Sequence, residues 1–184
     1  TPLPPAKPKL RYNPRLEVDV SGFSTVTPSV RPWAGAAPLD EIRSAWSRLG
    51  FRQIDRLERE LSGRGPLSND ARVVGLLTQA LAWNYEGDPK RAYEVLGQAR
   101  AIAEADDQLA AAAVYTLVYC QGVTALRMGE NDNCILCRGE SSCILPIAPA
   151  AVHTNPHGSR LAVAHFTEYL REFPDDLEVG WLLN

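Results

Sequence analysis

The seven residues EGDPKRA, Glu86–Ala92, constrain this chain more than any other stretch. Gly87 ends one helix, Asp88 offers a side-chain oxygen to cap the next, and Pro89 fills the first helical position, where its missing N–H costs nothing. Helical patterns run into this turn and out of it. Upstream, Val73, Val74, Leu77, Ala80 and Leu81 line one face of a helix over about 71–85. Downstream, Ala92, Val95, Leu96, Ala99 and Ile102 recur at helical spacing. Two helices joined by so short a turn must lie side by side.

The same period fills most of the chain. Asp40 is placed to cap a helix faced by Ile42, Ala45, Trp46 and Leu49 and stopped at Gly50. Ile54, Leu57 and Leu61 line a second helix, ended by Gly63. A long helix is expected from Asp107 to Met128, closed by Gly129, and another from Ser159 to Phe173. Pro174 follows, and a further helix begins at Asp175. The predicted fold is all-α, a short right-handed solenoid of antiparallel helix pairs over residues 39–184.

Residues 1–38 are predicted to form an extended, proline-rich arm. Within it, RLEVDV alternates Leu16, Val18 and Val20 with Glu17 and Asp19, a period of two. A lone strand in a helical protein has no sheet to join, so the arm is expected to lie across the helices or pair with another chain. Trp33 offers it an aromatic anchor.

Leu76–Ala99 resembles a tetratricopeptide repeat in Ala80, Trp83, Gly87, Ala92, Leu96 and Ala99. A second unit starts the same way, with Gly122, Ala125 and Gly129, but its second-helix pattern appears only at Ala162, Phe166, Tyr169 and Pro174. The step from turn glycine to helix alanine is five residues in the first unit and 33 in the second, an insertion of 28. A loop over about 130–158 therefore interrupts a helical hairpin.

The last third carries a further resemblance. Asn133, Cys134, Cys143, Pro146, His153, Gly158, Ser159, Trp181 and Asn184 stand in the order and spacing found in the N-terminal tetratricopeptide region of bacterial exported proteins with FG-GAP propeller and ASPIC/UnbV domains downstream. The resemblance implies an exported protein. In that family the position of Cys137 is often histidine, and no propeller or calcium-binding repeat is present here.

The loop holds three of the four cysteines and two of the three histidines. Cys134, Cys137, Cys143, His153 and His157 follow the spacing C-x2-C-x5-C-x9-H-x3-H. Thiolate and imidazole are ligands for zinc or copper, and C-x2-C lets two sulfurs meet one ion. A loop this long and poor in apolar residues needs a staple. Against metal stand a disulfide joining Cys143 to Cys134 or Cys137, as an oxidising compartment would allow, and thiols that do neither. Arg138 after Cys137 departs from the covalent-haem signature, and no βαβ setting supports a thioredoxin-like role. Cys120 reads as a buried helix thiol and His165 as a surface or half-buried helix residue.

A net charge of −3 offers no basic stripe for nucleic acid. No uninterrupted apolar run approaches the roughly 20 residues of a membrane span; Leu109–Val118 reads as a buried helix. Asp106–Asp107 and Asp175–Asp176 fall at helix starts, where aspartate offsets the dipole. No phosphate loop, G-x-S-x-G or H-E-x-x-H occurs. The opening TPLPPAKPKL, without Met, fits either a removed signal peptide, and with it a periplasmic or extracellular location, or a chain trimmed from a longer one. The expected function is a non-enzymatic interaction or assembly module, with metal binding or redox chemistry in the loop as the alternative. Self-association or a protein partner is expected through Trp181, Leu182 and Leu183 at one end and the arm at the other, with a longer chain that continues the solenoid past Asn184 as the alternative.

Overall fold

The computed structural model describes residues 10–63, 65, 67–134 and 152–184. Among them every regular element is helical: α1 (Phe23–Val26), a 3-10 turn (Thr27–Ser29), α2 (Leu39–Trp46), α3 (Leu49–Leu61), α4 (Asn69–Tyr85), α5 (Pro89–Glu104), α6 (Asp107–Asn133), α7 (His157–Glu172) and α8 (Leu177–Leu183). The protein is all-α. Each long helix packs chiefly on its neighbours in the chain, α3 on α4, α4 on α5, α5 on α6, α6 on α7, and α7 on α8.

The turn at Glu86–Asp88 forms as its residues dictate. Gly87 takes φ 81°, and the Asp88 carboxylate accepts the Arg91 N–H at 3.1 Å over Pro89. Ala80, Ala92, Leu96 and Ala99 are fully buried where α4 and α5 meet. Ser68, Asp106 and Asp176 cap α4, α6 and α8 through their side chains in the same way.

Several boundaries depart from expectation. The α2 helix starts at Leu39 behind Pro38, with Asp40 inside its first turn. The break after it falls at Ser47 and Arg48, not Gly50: Arg48 adopts φ 52° and Gly50 lies within α3, against Tyr85 and Glu86. Val74 is 62 % exposed because the buried face of α4 runs through Val73, Ala80 and Leu81. The arm is not extended throughout, since Phe23–Ser29 turns helically behind Gly22 at φ 76°. Helix α6 does not close at Gly129 but continues to Asn133. Gly129 serves instead as a crossing point, where a side chain on Gly158 of α7 would stand 2.4 Å from the Gly129 nitrogen.

Along that crossing the two helices touch through small residues. Gly122 faces the fully buried Phe166 ring, while Ala125 and Gly129 face Gly158. Leu117, Val118, Ala125, Phe166 and Tyr169 form the centre of the core. Among the described residues, α6 is the one helix long and apolar enough, by length and composition alone, to cross a membrane. Of its most apolar stretch, 67 % is buried inside the protein, as in a core helix.

Residues 10–20 contain no strand. The arm lies across the helices, its Asn13 N–H on the Ala111 carbonyl at 2.8 Å and its Leu16 N–H on Thr116 Oγ1 at 3.0 Å. The period of two holds only in part: Val18 packs against the core and Val20 is buried, but Leu16, expected on the same face, is 65 % exposed.

Candidate functional site

The loop between α6 and α7 is closed at its base by polar side chains. Asn133, the last residue of α6, makes four hydrogen bonds. Its Nδ2 donates to the carbonyls of Gly129 (2.7 Å) and Asn155 (2.9 Å), and its Oδ1 accepts the N–H groups of Thr154 (3.1 Å) and Asn155 (3.0 Å). Asn155 in turn donates to Asp132 Oδ2 at 3.2 Å, and its own Oδ1 accepts the His157 N–H, the first of α7, at 3.1 Å. Lys90 pairs with Asp132 at 2.9 Å, which ties the loop base to α5. Chain segments 22 residues apart thus meet in a fixed geometry. No sequence period announces this clamp; its only trace is asparagine at both loop ends, beside a helix terminus each time.

Above the clamp, Cys134 Sγ stands 3.3 Å from His153 Nε2. This pair is the part of the expected ligand set that the described residues bring together. Sulfur and nitrogen ligands at about 2.3 and 2.0–2.1 Å around one tetrahedral ion lie roughly 3.6 Å apart, so the pair fits two corners of such a site. Cys137 and Cys143 lie outside the described residues. His157 begins α7, one turn from Arg160 and fixed through its backbone to Asn155. Among the described residues no group of three or more His, Cys, Asp and Glu side chains converges. His153 also edges a cleft of about 370 Å³ lined by Leu126, Asn133, Asn155 and Ser159.

A second polar cluster joins the arm to α8. Arg15, whose side chain is 12 % exposed, reaches Asp176 Oδ2 with Nε (3.0 Å) and Glu178 Oε2 with Nη2 (2.6 Å). Its guanidinium lies 4.3 Å over the Tyr119 ring. Tyr119 Oη donates to Glu178 Oε1 at 2.6 Å and Tyr169 Oη to Asp176 Oδ2 at 3.0 Å. Burial alone pushes the Asp176 carboxyl up, but the Val179 N–H, Arg15 and Tyr169 outweigh it and hold it below its ordinary value. The hydrogen bond from Tyr119, then burial acting the other way, then Arg15 leave Glu178 lowered as well.

A third cluster lies between α5 and α7. Tyr93 Oη meets His165 Nε2 at 2.7 Å, and Arg100 binds Glu168 on α7 and Glu104 on its own helix. His165 Nδ1 is buried with no hydrogen bond; Glu168 Oε2, at 3.9 Å, is too far to accept one. Burial first, then Arg100, push the His165 pKa down, so the ring is held neutral. Cys120 is fully buried, and burial pushes its thiol up to about 12. Burial thus disfavours its thiolate form.

On α8 the surface differs from the expected one. Trp181 is 75 % exposed, but Leu182 and Leu183 pack against the core, and the second exposed apolar residue is Leu177, at 87 %. No family model matches the chain, and comparison with curated proteins and with solved structures found no match.

Proposed function

We propose that this protein is a non-enzymatic interaction module, built as a short tetratricopeptide-like solenoid from the helix pairs α4/α5 and α6/α7 with α8 opening a third. The chain-neighbour packing of the helices and the small-residue crossing at Gly122, Ala125 and Gly158 support the solenoid. The observation that carries the function is the outer face of α8, where Leu177 and Trp181 sit four residues apart, one helical turn, both exposed. A paired apolar face of this kind is suited to burial against another chain. Self-association through α8 is the form of contact proposed, in the periplasmic or extracellular setting that the sequence resemblance implies. Light scattering over a concentration series, comparing wild type with Leu177→Ser/Trp181→Ser, tests it.

The Cys134–His153 contact favours a second reading, a zinc- or copper-binding loop. Two ligands already stand at a spacing suited to one ion, and Asn133 holds the chain on both sides of them. Elemental analysis with thiol counting tests this reading. Stoichiometric metal, lost in His153→Ala, supports it; metal-free protein with an intact fold contradicts it.

A further inference from the structure

The N-terminal segment divides at Asp19 into two parts held in different ways. Between Val20 and Val26 it is fixed into the core. Val20 and Val26 are buried, and Asn84 Nδ2 holds the Val20 carbonyl at 3.1 Å. The Asp19 carboxylate accepts the N–H groups of Ser21 and Ser24, which fixes the turn there. From residue 10 to residue 19 no residue is buried. That stretch is anchored by the Asn13 and Leu16 amides on α6, the Arg15 amide on Tyr169 Oη at 3.4 Å, an edge contact of Tyr12 on Tyr115, the Arg15 fork, and Leu10, Tyr12 and Val18 packed half-buried against the core.

The receiving half of the fork is assembled without the arm. Asp176 caps α8 through the Val179 N–H and takes the Tyr169 hydroxyl, while Glu178 takes the Tyr119 hydroxyl. All of these partners belong to α6, α7 and α8. Removal of Arg15 would leave two oriented carboxylates over an aromatic ring, beside a free carbonyl lobe on Ala111 and the Thr116 hydroxyl. Those two acceptors take amides three residues apart in an extended chain.

We propose that residues 10–18 are a releasable strap over a docking face on α6 and α8, and that the uncovered face takes an extended segment of another protein that carries an arginine. The proposal rests on the interaction-module reading and adds the chemistry of the partner. Charge complementarity names the occupant: the paired carboxylates call for a planar, forked cation, and the tyrosine ring beneath them favours guanidinium over ammonium. The tethered strap competes at an effective concentration of order millimolar, so a partner segment binds well only when the fork is loosened.

The test uses the full chain and a fluorescein-labelled peptide of residues 10–22, LRYNPRLEVDVSG. The peptide is expected to bind Arg15→Ala protein at least tenfold more tightly than wild type, and the same peptide carrying Arg15→Ala is expected to bind neither. Absence of saturable binding to folded Arg15→Ala protein, or equal binding of the two peptides, overturns the proposal. So does a dimer of the protein that the peptide disperses, because the occupant is then a second copy. Hydrogen exchange on wild type keeps the idea exposed if Arg15→Ala does not fold. The Asn13 and Leu16 amides are expected to exchange by local opening, well before those of Leu117 and Val118; equal protection would mean that the strap leaves only when the protein unfolds. The peptide reports on this face alone, so its failure leaves association through Leu177 and Trp181 standing, and the reverse also holds.

Discussion

The side-chain amide of Asn133 is paired with the backbone of Asn155 in both directions, donating to its carbonyl at 2.9 Å and accepting its N–H at 3.0 Å. One side chain does for these two segments what a ladder of backbone bonds does for two strands. Asn133→Ala removes four hydrogen bonds at a partly exposed site where water replaces some of them. A loss of about 1–2 kcal/mol is expected, read from urea denaturation. Asn133→Asp keeps the acceptor for Thr154 and Asn155 and should recover part of that loss.

The crossing of α6 and α7 gives a contrast between two glycines. A methyl group on Gly158 would stand 2.4 Å from the Gly129 nitrogen and 2.6 Å from the Ala125 carbonyl oxygen, and backbone cannot move aside cheaply. Gly158→Ala should cost about 1–3 kcal/mol or more. Gly97, within α5, has open space where its Cβ would be. Gly97→Ala should stabilise by about 0.5–1 kcal/mol through helix propensity. Thermal midpoints of the two variants should therefore move in opposite directions.

These two sites mark what was legible in the sequence. The meeting of Gly122 and Ala125 with Ala162 and Phe166 is what the tetratricopeptide resemblance implies, since small residues stand where the two helices of a unit touch. The Glu86–Ala92 turn was equally legible, because Gly, Asp and Pro each have one low-cost place in it. Gly50 and Gly129 misled because glycine also serves close packing, and a stop signal looks the same as a crossing residue. The Arg15 fork left no pattern, and the Asn133 clamp left only asparagine at each end of the loop. Both join groups far apart in the chain through side chains whose types are common on any surface. Cys134 and His153 were legible as candidates, while their 3.3 Å meeting depended on the clamp beneath them.

Acid should weaken the protein in two steps. The folded His165 pKa is depressed, so its neutral form contributes stability that is present above the unfolded value near 6.5 and is lost as pH falls below it. Asp176 and Glu178 are also depressed, and their contribution is present above roughly pH 4 and lost as pH falls through the folded values. Urea midpoints from pH 8 to pH 3 should show both steps. His165→Gln should remove the first, and Arg15→Ala should shrink the second.

Cys120 should resist alkylation in the native protein. Its thiol is fully buried and pushed up to about 12, so little thiolate forms and no reagent reaches it. Intact mass after iodoacetamide treatment at pH 8, with peptide mapping, should show Cys120 unmodified until denaturant is added. Modification in native buffer would mean that α6 opens far more readily than its packing implies.

The most direct test of the account is the solution mass of the chain across a wide concentration range. Association through α8 predicts a weight-average mass that rises above the monomer value of 20.2 kDa as concentration increases. It also predicts that Leu177→Ser/Trp181→Ser holds the mass at that value with an unchanged circular dichroism spectrum, since both side chains are exposed in the monomer. A wild-type chain that stays at 20.2 kDa at the highest concentration would contradict self-association through this face.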